Sequence, residues 1–166
     1  MARKKKKPTS APSSDGERAI CTNRQARFHY ELLDTWEAGL VLMGSEVKSC
    51  RAAKVSLAEA HVRVRRGEAW LVDAHFSPYE HAGYAGHEPR RPRKLLLHRR
   101  EIEKMDQAVQ RKGLTLVPTR LYFKGARIKL ELRLGRGKKL HDKRETTKKA
   151  EDRRDADRAV RAASRG

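Results

Sequence analysis

Nucleophilic catalysis needs a thiol or hydroxyl beside an oriented base, so the cysteines and histidines come first. Cys21 and Cys50 show no CxxC spacing and have no close histidine in sequence. That pattern predicts a reduced pair, one or both buried, rather than a metal clip or a catalytic thiol. His75, His81 and His87 recur at regular intervals, but their spacing does not gather on one ligand face of a helix or strand. No GxSxG motif is present. Gly135-Arg-Gly-Lys138 lacks the spacing of a nucleotide-binding phosphate loop, although its N–H groups and lysine suit a phosphate backbone. The acids between residues 19 and 134 are scattered, unlike the clustered carboxylates of a metal-dependent nuclease. The expectation is a protein with no catalytic centre, no metal and no cofactor.

The chemistry the chain does offer is recognition of phosphate. Lys and Arg number 40 against 21 Asp and Glu, a net charge of +19 over 166 residues. Such an excess speaks of partners rather than fold, and nucleic acid is the partner it fits best. The cations form separate stations. Lys48 and Arg51 fall at i, i+3, and Arg90, Arg91, Arg93 and Lys94 crowd a proline-punctuated loop. Arg127, Lys129 and Arg133 alternate along one predicted strand. Phosphate contacts from such residues give affinity and salt sensitivity, while specificity must come from stacking and shape. Phe28, Tyr30, Tyr79, Tyr84 and Tyr122 are the aromatic candidates, each with core packing as its alternative. No apolar run approaches the roughly 18 residues of a membrane span, and the basic N-terminus lacks the apolar stretch of a signal peptide. A cytoplasmic protein with no membrane partner is expected.

These residues need elements to hold them. Residues 1–18 are basic, then rich in Ser, Pro and Gly, and predict a disordered arm. Residues 19–134 carry the apolar runs of one small domain. Strands are predicted within 28–43, with a bend at Gly39, then over 60–65 and 69–72 around an Arg66-Gly67-Glu68 turn. Ile128, Leu130, Leu132 and Leu134 alternate with charged residues, which buries one strand face. Lys124-Gly125 turns this strand back against 114–123, where Pro118 argues for an edge or bulge. Ser45 suits the cap of a short helix through Arg51, with Val47 and Cys50 inward. A longer helix over 99–112 has Ile102, Met105 and Val109 as its stripe and Gly113 at its stop. The fold class is mainly β with flanking helices: an OB-like antiparallel β-barrel, about three short helices and a basic C-terminal tail. The tail, 135–166, has good helix formers and i, i+4 ion pairs but no apolar stripe before Ala156. It is expected to be disordered when free and helical along RNA.

Six stretches in order then resemble the SmpB family of SsrA-binding proteins. They are Asn23-Arg-Gln-Ala-Arg27 with Tyr30; Trp36-Glu-Ala-Gly-Leu-Val-Leu42; Gly44-Ser-Glu-Val-Lys-Ser-Cys-Arg51; Glu88-Pro-Arg-Arg-Pro-Arg-Lys-Leu-Leu-Leu97; Leu116-Val-Pro with Leu121-Tyr-Phe-Lys124; and Gly137-Lys-Lys-Leu-His-Asp-Lys-Arg144. The resemblance implies an OB-type barrel that binds the tRNA-like domain of transfer-messenger RNA. It also implies delivery of that RNA, with elongation factor Tu, to stalled ribosomes for trans-translation. The tail would enter the empty mRNA channel of the small subunit near the decoding region. Glu37, Leu96 and Lys129 match positions of the family's RNA-binding surface. Asn23, Lys48, Arg51 and Arg93 are added here on physical grounds. Glu37 would accept hydrogen bonds from base edges or 2′-hydroxyls, or orient a neighbour such as Lys129. Gly137, Lys138, Lys139, His141, Asp142, Lys143 and Arg144 match the motif that reaches the decoding region, where His141 would stack on a ribosomal base. Cys50 stands where the family usually has a branched aliphatic residue, a space that a small hydrophobe largely fills. Residues 82–87 follow the family less closely, and the tail beyond Lys149 matches in charge more than in sequence. A monomer is expected, with a structural ribosomal protein or general RNA chaperone as the alternative reading.

Overall fold

The computed structural model describes residues 16–80, 83 and 86–163. Residues 1–15 of the expected arm, with His81 and Tyr84, lie outside them. Chain order is β1 (Glu17–Thr22), α1 (Ala26–His29), β2 (Tyr30–Leu40), α2 (Gly44–Arg51), β3 (Val55–Ser56), β4 (His61–Arg65) and β5 (Glu68–Val72). It continues with β6 (His75–Phe76), β7 (Arg93–Leu96), α3 (Arg99–Lys112), β8 (Thr115–Lys124), β9 (Arg127–Gly137) and α4 (Leu140–Ala163). The main sheet has 7 strands in the order β1-β8-β4-β5-β7-β2-β9, and β8 also pairs with β9. That last pairing closes the circuit β8–β9–β2–β7–β5–β4–β8, with β1 outside on β8, so the expected antiparallel barrel is present. Every pairing is antiparallel.

The alternation seen in the sequence fills the barrel. Leu130, Leu132 and Leu134 of β9 join Trp36, Leu71, Leu95, Leu116 and Leu121 in the core. Ile102 and Met105 of α3 and Cys50 of α2 also belong to it. Gly113 ends α3 in the left-handed region at φ 59°, where a residue without Cβ pays no steric cost.

Three local expectations change, and the edge-or-bulge alternative at Pro118 resolves to a bulge. Phe28 and His29, expected to open a strand, instead end α1 (Ala26–His29), because the Asn23 side-chain oxygen accepts from the Ala26 N–H at 3.2 Å and turns the chain. Gly39 is paired regularly on both sides, and the β2 register shift falls between Leu32 and Thr35. Pro118 does not mark an edge, since β8 has neighbours on both sides. Its missing N–H is absorbed at a bulge between Pro118 and Arg120. The N-terminus of α2 is closed by Glu46, whose carboxylate accepts from the Met43 N–H at 2.7 Å, while the Ser45 hydroxyl pairs with His87 at 2.9 Å.

Candidate nucleic-acid interface

The strand registers bring three sequence candidates side by side. Gly39 of β2 lies opposite Leu96 of β7 on one side and Lys129 of β9 on the other. Lys129 in turn lies opposite Tyr122 of β8. Directly opposed residues share a face, so Leu96, Lys129 and Tyr122 form one row on the outer side of the sheet with the glycine as its gap, although Tyr122 is itself covered and only 2% exposed. A Cβ on Gly39 would come within 3.3 Å of the Leu96 Cβ, so glycine lets this row pack closely. Leu96 is 55% exposed, an apolar side chain offered to solvent beside cations.

Glu37 sits two residues before Gly39 and is the hub of this face. It accepts a short hydrogen bond from the Tyr122 hydroxyl and bonds from Lys124 Nζ at 3.0 and 3.2 Å. Lys129 Nζ stands 3.8 Å away. The Tyr122 hydrogen bond, then Lys124 and Lys129, hold the Glu37 carboxyl below its ordinary value despite some burial. Burial and the adjacent Glu37 push the Tyr122 phenol up, so it stays a donor. Arg120 lies over the Tyr122 ring at 4.2 Å and pairs with Glu17 at 2.9 Å. A carboxylate on a basic face is thereby explained: it neutralises part of the cluster and fixes where two ammonium groups stand. Lys124 and Arg120 were absent from the sequence-derived site, and Tyr122 stood there as one of five aromatic candidates. Alternation along β8 beyond the Pro118 bulge is the signal that places Tyr122 and Lys124 outward.

Two candidates turn out to be internal. Arg93 is 0% exposed, and its basic station is largely spent on the protein itself. Its guanidinium bonds Glu46 at 2.8 Å, Ala74 O at 3.0 Å, Arg91 O at 2.8 Å and Pro89 O at 3.1 Å, and stacks 3.8 Å over Phe76. Arg91 binds the same carboxylate at 2.8 and 2.5 Å. Arg90 pairs with Glu59 at 2.7 Å and Lys94 with Glu68 at 2.5 Å. Burial pushes the Glu46 carboxyl up, but hydrogen bonds from Arg91 and Met43 and the charges of Arg93 and Arg91 outweigh it and hold it low. Asn23 is likewise buried, its amide donating to Leu57 O at 3.1 Å and Pro118 O at 3.2 Å. It shapes the turn into α1 instead of facing outward.

Lys48 and Arg51 are exposed on α2. Lys48 Nζ lies 4.9 Å over the Tyr79 ring. Burial pushes the Cys21 thiol up to about 11 and that of Cys50 to about 12, which keeps both protonated at neutral pH.

The tail motif divides into anchors and free groups. Gly137 pairs with Tyr30 as the last residue of β9. Lys138 donates its backbone N–H to His29 O at 3.0 Å and its ammonium to Arg27 O at 2.9 Å, both in α1. Asp142 accepts from the Lys139 N–H at 3.3 Å and closes the start of α4. Lys139, His141 and Arg144 point to solvent and Lys143 is half-buried. His141 Nδ1 lies 3.8 Å from Glu145. Alpha-4 buries no residue.

A family model described as SmpB protein matches residues 20–162. The SsrA-binding protein of Gloeothece citriformis is 55% identical over 143 residues, 86% of this chain and 92% of that one. That of Roseiflexus castenholzii is 55% identical over 150 residues, 90% of this chain and 95% of that one. A chain from a solved structure described as "tmRNA-SmpB: a journey to the center of the bacterial ribosome" is 47% identical. It superposes with a TM-score of 0.62, covering 72% of this chain and 85% of that one.

Proposed function

The chain belongs to the SmpB family, and from that membership together with its strand-face cluster we infer that it binds transfer-messenger RNA and brings it to stalled ribosomes in trans-translation. The observation that carries this is the row Leu96–Gly39–Lys129–Tyr122 with Glu37 as its hub. It offers an apolar contact, a half-buried ammonium and a fixed carboxylate within one small area. That mixture suits the ribose edges and unstacked bases of a folded RNA better than it suits a bare phosphate rail. The tRNA-like domain is the cognate part of the RNA. Lys139, His141, Lys143 and Arg144 engage the decoding region, and α4 lies along the mRNA channel of the small subunit. Peptide transfer is left to the ribosome, so the protein acts as an adaptor without chemistry of its own. Elongation factor Tu as escort, and a monomeric cytoplasmic protein, belong to the same reading, which rests there on the family resemblance.

A competition titration tests it. At about 0.15 M salt, where non-specific contacts are weakened, the tRNA-like domain competes with ordinary tRNA and a DNA duplex of similar charge. A preference of about tenfold, or 1.4 kcal/mol, is the expected result. Equal binding to all three would favour a general RNA chaperone or structural ribosomal protein.

A further inference from the structure

We propose that Tyr122 is a positioning residue for RNA recognition: its hydroxyl pins one oxygen of Glu37, which presents the other to a hydrogen-bond donor of the RNA, a 2′-hydroxyl or a base amino group. The inference rests on the function proposed above and names a residue and a ligand chemistry within that site.

Tyr122 reaches this place through a bulge. Leu116 of β8 turns into the core, and unbroken alternation would send every second residue after it the same way, Tyr122 included. Instead Pro118 lies opposite Leu132 and Arg120 opposite Glu131, so β8 carries one extra residue between them. Beyond it Leu121 is the core residue, and Arg120, Tyr122 and Lys124 fall on the outer side. One inserted residue re-aims the ring from the barrel interior to the Glu37 carboxylate.

Glu37 would not hold its place unaided. It stands directly opposite Glu131, and like charges in that relation repel. Glu131 is drawn aside, since the Thr119 hydroxyl donates to it at 2.7 Å and Arg120 stands 3.8 Å away. Lys124 and Lys129 reach Glu37 from β8 and β9, but on long flexible stems, and the Lys124 side chain is 53% exposed. On the other side β7 pairs with β2 at Gly39 and Leu40, and its Lys94 is engaged by Glu68. The Tyr122 phenol is the rigid member of the cluster. The residue is buried, Arg120 covers its ring at 4.2 Å, and Glu17 of β1 holds Arg120 at 2.9 Å. Burial also closes the stacking role to this ring, because a base needs an open face to lie on.

The contacts divide the two carboxylate oxygens. Oε2 accepts from the Tyr122 hydroxyl and from Lys124 Nζ at 3.0 Å. Among the described residues, Oε1 has the longer Lys124 bond at 3.2 Å, with Lys129 outside hydrogen-bond range at 3.8 Å. An ionised carboxylate only accepts, and each oxygen has room for more than one donor. Oε1 is therefore the atom left for RNA, and it selects a 2′-hydroxyl or an exocyclic amino group while repelling phosphate.

The test compares wild type, Tyr122→Phe, Glu37→Ala and the double variant as full-length chains, titrated with the isolated tRNA-like domain at about 0.15 M salt. Tyr122→Phe keeps the ring and its Arg120 contact and removes the hydroxyl alone. It is expected to bind about three- to fivefold more weakly and to melt within about 4 °C of wild type. In the Glu37→Ala background, where no carboxylate remains to be positioned, the same substitution should change affinity by less than about 1.5-fold. A second readout needs no RNA. The Tyr122 hydrogen bond is the largest influence holding the Glu37 carboxyl low. In an NMR titration of the free protein, the Glu37 carboxyl carbon should therefore titrate at higher pH in Tyr122→Phe than in wild type. Unchanged affinity in Tyr122→Phe or an unmoved Glu37 titration would overturn the proposal. So would an equal loss on Glu37→Ala, because the hydroxyl would then act without Glu37. A wild-type chain with no preference for the tRNA-like domain over ordinary tRNA would overturn the function proposed above and this inference with it, before any variant is made.

Discussion

Glu37 and Glu46 are both carboxylates in a strongly basic protein, and their surroundings give them opposite uses. Glu37 is exposed and holds Lys124 and Lys129 in place by charge and the Tyr122 hydroxyl by hydrogen bonding. Glu37→Gln and Lys129→Ala should each weaken binding to the tRNA-like domain by about five- to tenfold, 1–1.4 kcal/mol. Their double variant should lose less than the sum, because both act through one cluster. A titration of the four proteins measures that coupling, and strict additivity would refute the positioning role. Glu46 is fully buried between Arg91 and Arg93. Glu46→Gln strands the buried Arg93 charge and should cost about 3–5 kcal/mol of folding stability in a urea titration. Because the folded-state pKa of Glu46 is depressed, its stabilising effect is full above the unfolded value of about 4.3 and is lost as pH falls through the folded value. The gap between wild type and Glu46→Gln should thus stay constant above about pH 5 and close in acid. At this scale the alternation along β9 placed Lys129 on the outer side, as the structure has it, while the basic run around Arg93 was misleading. Nothing local to the Arg90–Lys94 loop says that its third arginine turns inward, since the carboxylate that draws it in comes from α2, far off in the chain.

Elements whose stability comes from an internal period were legible, and those built by distant contacts were not. The alternation of β9 and the stripe of α3 appear in the structure where the sequence placed them, because burial on one side imposes them. Alpha-1 was missed because it depends on Asn23 reaching carbonyls of Leu57 and Pro118. Joining Leu96 to Lys129 through Gly39 also required the strand registers, which no single segment contains. Alpha-4 is the opposite case. It runs over 24 residues with none buried, so only helix propensity, ion pairs and its anchored first turn support it. Amides from about Glu145 to Ala163 should therefore exchange with solvent far faster than those of β8 and β9 in the free protein. They should gain protection on ribosome binding. Slow exchange along α4 in the free chain would show that something other than RNA stabilises the helix.

For the whole molecule, the +19 charge is arranged as faces with different fates. The 88–94 cations are each paired with a carboxylate, the Glu37 face mixes charge with Leu96, and the tail is exposed. This division predicts that recognition and delivery separate on cutting the chain. The cut has to respect the joint. Strand β9 pairs with β2 up to Gly137, and Lys138 bonds α1 through both its backbone and its ammonium. A chain ending at Lys139 keeps those bonds, whereas one ending at Leu134 removes the last three residues of β9. The Lys139 form should melt within a few degrees of the full chain, because α4 buries nothing. Its affinity for the tRNA-like domain should fall by no more than about threefold, the share expected of non-specific tail charge at physiological salt. In a reconstituted assay with ribosomes stalled on truncated messages, transfer-messenger RNA tagging should nevertheless fail. Retained tagging would remove the tail from the delivery step. Parallel loss of binding and tagging would instead mean that α4 belongs to the same RNA surface as the barrel, against the separation that the structure draws at Lys138.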